Sequence, residues 1–147
     1  MEALFDQTSE ECLAQLEELR ALEPIFHNAA FGTTVEHFAE RMTPEYWEVG
    51  ASGRRYSREF ILHMYSVAPV TADAAGWQAS NFACRRLSED TFLLTYRLDQ
   101  SGRLTRRTTL WRRSGPPGWQ VLFHQGTVLQ VEEDDVAAPQ DSANLPS

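Results

Sequence analysis

The sequence predicts an α+β fold, in which N-terminal helices pack on one face of an antiparallel β-sheet; a strongly curved sheet would leave a hollow between the two layers. Three observations carry this reading. Apolar residues recur at helical spacing through the first third of the chain, whereas segments bounded by turn residues fill everything after Trp77. Helices followed by a run of strands is the signature of an α+β domain. The length, 147 residues, suits one domain that buries a sizeable core without metal or disulfide staples.

The first helix is announced by Thr8 and Glu11, a capping-box pair, with Glu10 suited to the positive end of the helix dipole. Cys12, Leu13, Leu16, Leu19 and Leu22 follow at helical spacing, and Pro24 ends or kinks the helix because it lacks an N–H. Phe26, Ala29, Ala30 and Phe31 stay apolar up to Gly32. A second, short helix is expected from about Val35 to Met42, capped by Thr33 or Thr34 and stopped by Thr43-Pro44. Tyr46 to Val49 reads as a short strand and Gly50 to Gly53 as a tight turn. Ser57 then caps a third helix carrying Phe60, Ile61, Met64 and Tyr65, and Val67 to Gly76 is a connecting loop.

Four strands are expected near 77–87, 90–99, 103–113 and 119–130, separated by Ser88-Glu89, Ser101-Gly102 and the Ser114 to Gly118 turn. Phe92, Leu94, Tyr96 and Leu98 share one face of the second. A two-residue hairpin at Ser101-Gly102 sets Tyr96 opposite Arg107, Leu94 opposite Thr109 and Phe92 opposite Trp111. A slip of one residue would exchange Arg107 for Arg106.

The formal charge of −8 is uneven: residues 131–147 hold five acids and no base, leaving 16 acids against 13 bases in residues 1–130. The domain is therefore drawn at 1–130, with 131–147 an acidic, flexible tail too poor in large apolar groups to offset its ordering entropy. All 13 bases are arginine. The longest apolar run is three residues, too short for a membrane helix, and the first residues lack the pattern of a signal peptide. A cytoplasmic protein is expected. Cys12 and Cys84 have no metal-ligand spacing and read as two buried thiols. No metal site and no cofactor motif is expected; Ser52-Gly53-Arg54 has too few glycines and no lysine for a phosphate loop.

Two motifs sharpen the reading: Tyr46-Trp47-Glu48-Val49-Gly50-Ala51-Ser52-Gly53-Arg54, and Thr109-Leu110-Trp111-Arg112-Arg113 followed by Gly118-Trp119 and Phe123-His124-Gln125-Gly126-Thr127. With the element order, they resemble the nuclear transport factor 2-like superfamily, and within it an uncharacterised, SnoaL-like bacterial branch. The resemblance covers roughly residues 9–130. It implies the cone fold of ketosteroid isomerase and its relatives, with His124 beside Glu48 near the mouth. The chain departs from the family's enzymes: Asp90 and Asp99 lie at hairpin ends, so no known catalytic constellation is reproduced residue by residue.

The candidate site residues are Trp47, Glu48, Tyr96, Arg107, Trp111 and His124. Glu48 offers a carboxylate whose pKa burial can raise, or else a buried partner for Arg54 or a strand arginine. His124 offers a ring that titrates near neutrality. Tyr96 offers a hydroxyl and Arg107 a cation on the same face, while Trp47 and Trp111 suit an aromatic lining. The dense run Arg103, Arg106, Arg107, Arg112 and Arg113 alternates between both faces of a strand in an acidic chain. That favours pairing with acids or a dimer contact over nucleic-acid binding.

The expected function is binding of a small organic molecule in a largely apolar central pocket, as a homodimer through the outer sheet face, with no nucleic-acid or membrane partner. One alternative is a cofactor-independent isomerase, dehydratase or cyclase with Glu48, His124 and Tyr96 as catalytic groups. The other is a protein-association module. A buried carboxylate within hydrogen-bond reach of His124 or Tyr96 favours the enzyme, and a filled interior with an apolar outer face favours association.

Overall fold

The computed structural model describes residues 4–68, 76–116, 118–130 and 135–139. Its elements run α1 (Leu13–Arg20), α2 (Val35–Arg41), β1 (Met42–Val49), β2 (Arg55–Ser57), α3 (Arg58–Val67), β3 (Trp77–Arg86), β4 (Thr91–Gln100), β5 (Arg103–Arg113) and β6 (Trp119–Val128). The strands form one open sheet in the order β2-β1-β6-β5-β4-β3. β3 to β6 make the expected antiparallel meander, whereas β1 joins β6 in parallel, so the sheet is mixed. Among the described residues no helix is long and apolar enough to cross a membrane.

Local chemistry accounts for most element ends. The Thr34 hydroxyl accepts the His37 N–H at 3.1 Å, and the Ser57 hydroxyl accepts the Phe60 N–H at 3.1 Å, each satisfying a donor that the helix cannot. Ser101 and Gly102 both take positive φ, +57° and +101°, as a two-residue hairpin requires. That turn sets Tyr96 opposite Arg107, Leu94 opposite Thr109 and Phe92 opposite Trp111, as the alternation predicts.

Three expectations are corrected. Thr8 does not cap the first helix: its hydroxyl accepts the Cys84 N–H at 3.0 Å. β3 is an edge strand with backbone donors left over, and Thr8 satisfies one of them. A 3-10 turn at Glu10–Cys12 leads into α1 instead. Leu13 lies outside the buried stripe of Cys12, Leu16, Leu19 and Leu22, because it is rotated off their helical face. Thr43-Pro44 does not follow the second helix as a stop but lies within β1, which starts at Met42. Pro44 falls where the β1–β6 register shifts, a place that needs no proline N–H. The loop expected at Val67 to Gly76 lies mostly outside the described residues, as do 131–134 and 140–147 of the expected tail.

The core fills the concave side of the sheet. Phe26, Phe31, Phe38 and Tyr46 meet edge to face, and Trp111 is fully buried beneath them. Phe26 holds φ at +67°, a conformation costly for a bulky side chain, and its ring contacts fix it there. Cys12 and Cys84 are free, buried thiols. The register shifts between Leu110 and Trp111 opposite β6, so Val121 and His124 both face inward. Removing the α3 cap in Ser57→Ala is expected to cost about 1 kcal/mol, read as a lower urea midpoint at unchanged slope.

Candidate functional site

The segment between α1 and α2 carries the acid that organises the interior. Glu23 is 4% exposed, and its carboxylate collects donors from across the fold. The Tyr96 hydroxyl donates to Oε1 at 2.7 Å, the Trp111 indole N–H to Oε2 at 3.0 Å, and the Ile25 N–H to Oε1 at 3.3 Å. Burial pushes the Glu23 carboxyl above its ordinary value, while hydrogen bonds from Thr109, Tyr96, Trp111 and the Ile25 backbone pull against it.

From Thr109 the polar chain continues to His124, whose Nδ1 lies 2.8 Å from the threonine hydroxyl. Arg107 Nη1 lies 3.3 Å from the other ring nitrogen, Nε2. A guanidinium only donates, so Nε2 accepts and Nδ1 carries the proton that goes to Thr109. Burial and the neighbouring Arg107 push the imidazole down to about 3, which keeps the ring neutral at pH 7.

Arg107 is the cation of the site. Nε donates to the Thr105 hydroxyl at 2.9 Å and Nη2 to Gln100 Oε1 at 3.2 Å. Gly126 stands opposite Arg107 on β6, and a Cβ there would sit 3.2 Å from the guanidinium carbon, so glycine leaves the space the head group needs. Glu48 approaches from β1, where the Tyr46 hydroxyl donates to Oε1 at 2.7 Å. Burial raises the Glu48 carboxyl, and the Tyr46 hydrogen bond and Arg107 work against that shift.

These groups surround a cavity of about 100 Å³. Pro24, Ile25, Phe26, Tyr65, Trp77 and Leu98 form its apolar wall, and His27, Glu48, Tyr96, Gln100, Arg107 and His124 its polar wall. His27 packs against Trp77 at 4.9 Å between ring centres, and burial, reinforced by Arg107, lowers its pKa. The hollow is more polar than the largely apolar pocket expected, because Phe31, Phe38, Tyr46 and Trp111 fill the core rather than line it. Among the described residues no cluster of three or more His, Cys, Asp or Glu side chains is placed to hold a metal ion.

Of the six residues singled out in the sequence, Glu48, Tyr96, Arg107 and His124 share this cavity. Trp111 lies behind it as a donor to Glu23. Trp47 does not line it: strand alternation turns the side chain outward, 43% exposed, against Phe123. Glu48 is hydrogen-bonded to Tyr46 and not to Arg54. Sequence reasoning missed Glu23, His27 and Gln100. Glu23 did leave a signal, as the lone acid in the apolar run from Ala21 to Phe26.

Helices packed on one side of a curved, open sheet make the cone fold of nuclear transport factor 2-like proteins, and solved structures agree. The chain is similar to a nuclear transport factor 2-like protein of unknown function in nutrient uptake from Rhodospirillum rubrum, at 20% identity and a TM-score of 0.57, covering 80% of this chain and 98% of that one. It is similar to a nuclear transport factor 2-like protein from Cytophaga hutchinsonii, at 14% identity and a TM-score of 0.59, covering 84% and 100%. A cystatin-like fold protein from Burkholderia xenovorans superposes at a TM-score of 0.62 with 14% identity, covering 84% and 95%. No protein-family model matches the sequence, and no curated protein matches it. At these identities the likeness shows the fold alone.

The buried histidine makes stability depend on pH in a defined direction. Unfolded, the ring takes a proton below about 6.5; folded, it resists protonation down to about 3. Its contribution is therefore fully present above pH 6.5 and is lost as pH falls toward 3. Glu23 and Glu48, raised from 4.5, act in the opposite sense: their contribution is present below pH 4.5 and is lost as pH rises through their raised values. The stability gap between wild type and His124→Asn should thus shrink between pH 7 and pH 4, measured by urea unfolding at each pH. A gap independent of pH would show that the ring is not buried neutral.

Proposed function

We propose that this protein binds a compact organic molecule bearing a carboxylate or a polarised carbonyl in the cone cavity, with Arg107 as its counter-group. One observation carries the reading: the guanidinium is largely buried, and its hydrogen bonds go to three neutral acceptors, Thr105, Gln100 and His124. Burial, with Arg103 adding to it and Tyr96, Glu23 and Glu48 opposing it, depresses its pKa, the mark of a desolvated cation that an anionic ligand would relieve. A fork held in place by Thr105, Gln100 and His124 is set for planar recognition of a carboxylate. Ile25, Phe26 and Leu98 offer the apolar surface for the rest of the ligand. At about 100 Å³ the cavity suits a compact ligand.

A second reading rests on Glu48. Its carboxyl lines the same cavity and burial raises it, which suits a group that gives and takes a proton from a bound carbonyl compound. On that reading the protein is a cofactor-independent isomerase, dehydratase or cyclase.

The test is a set of two- to five-carbon carboxylates and keto acids titrated against the protein by NMR. Arg107→Met keeps the packing and removes the fork; it should weaken any ligand found by about tenfold to a hundredfold, the scale of a charged hydrogen bond. Unchanged affinity in that variant would remove Arg107 from the site. In D2O, exchange of the bound ligand's α-protons that disappears in Glu48→Gln would establish the enzyme reading, and its absence leaves binding alone.

A further inference from the structure

The convex face of the sheet, opposite the cavity, carries a second arrangement. Cross-strand register sets Arg97 of β4 directly opposite Arg106 of β5. Like charges so placed repel, and the fold retains them only where acids come close. Beside them runs a groove of about 390 Å³, with Phe5 and Leu93 in its apolar floor and Arg85 and Arg106 on its edge. Asp6, the acid at its far end, is engaged by the Asn81 side chain at 3.0 Å.

The chain's own C-terminal segment reaches this groove. Arg106 Nη2 donates to Asp135 Oδ1 at 2.9 Å, and the neighbouring Val136 lies on the groove's rim. Upstream, the Leu129 N–H is bonded to the Leu104 carbonyl beside β5. Yet the hold is slight. Both side chains of the ion pair are substantially exposed, at 44% and 39%, and an exposed pair contributes little by itself. Val136 remains 47% exposed, and the groove stays open with the segment at its rim. The tether, through the local concentration it creates, keeps Asp135 in place.

We propose that this groove is a docking site for an acidic peptide segment in which a carboxylate is followed by an aliphatic residue, and that Asp135-Val136 is its weak, displaceable occupant within the chain. The partner is a protein carrying such a segment. Arg106 takes the carboxylate, the Phe5–Leu93 floor takes the aliphatic side chain, and further acids answer Arg85. Nucleic acid, which needs an extended run of available cations, is a poor fit, because Arg112 further along β5 is already paired with Glu45 at 3.1 Å.

The test uses the full chain and a fluorescein-labelled peptide with the sequence of residues 131–139, followed by anisotropy. Asp135→Asn weakens the internal competitor and should bind the peptide about fivefold tighter than wild type. Arg106→Glu should bind it at least about tenfold more weakly than wild type, with an unchanged melting temperature showing that the fold is intact. Raising salt should weaken binding to Asp135→Asn. Equal binding by wild type and Asp135→Asn, full binding by Arg106→Glu, or no binding by any form overturns the proposal. So does an Asp135→Asn protein that sediments as a dimer and leaves the peptide free, since a second copy would then own the face.

Discussion

The Glu23 carboxylate is the point on which the interior turns. One end of the chain reaches it through the backbone after α1, and β4 and β5 reach it through Tyr96 and Trp111. A buried acid without donors would cost several kcal/mol. Those contacts must therefore form together, and they fix how the helical layer sits on the sheet. Asn28 strengthens the same junction by donating to the carbonyls of Ala21 and Glu23 at 2.9 and 2.8 Å. Arg41 closes it from the other side, donating to the carbonyls of Phe31 and Trp119.

From that anchor a line of polar groups runs through Thr109 and His124 to Arg107 at the cavity. Each link constrains the next. Thr109 orients the imidazole, the imidazole presents one acceptor, and that acceptor turns the guanidinium. A network satisfied along its length is stiff, because any one member that swings away leaves a buried partner unpaired. The cavity wall is thus held in shape from behind by Glu23, Thr109 and Trp111, which do not line it. The outer face differs in kind: its ion pairs are exposed, its groove is open, and its occupant is tethered rather than packed.

Much of this was legible in the sequence where the deciding interaction is local. Ser57 and Thr34 announce their helices because a hydroxyl meets an N–H three residues on. Ser101-Gly102 fixes the register of β4 and β5, and with it the pairing of Tyr96 and Arg107. Glu23 was not legible as an anchor, since its donors lie 73 and 88 residues away and helix-end acids ordinarily face water. Trp47 misled for a related reason. Aromatic character suggests a lining, but the phase of β1 against β6 decides the face, and that parallel pairing leaves no mark in the sequence. Thr8 formed a plausible capping box and was claimed instead by an edge-strand donor.

The central claim is that Glu23 couples the segment after α1 to the sheet. A double-mutant cycle between Glu23→Gln and Trp111→Phe, followed by urea unfolding, tests it most directly. The indole N–H and the carboxylate are 3.0 Å apart and fully enclosed, so the account predicts a coupling energy of about 1–3 kcal/mol, the range for residues sharing a buried network. Strictly additive losses would mean that the two side chains are buried neighbours without a shared interaction, and the anchor would have to be sought elsewhere.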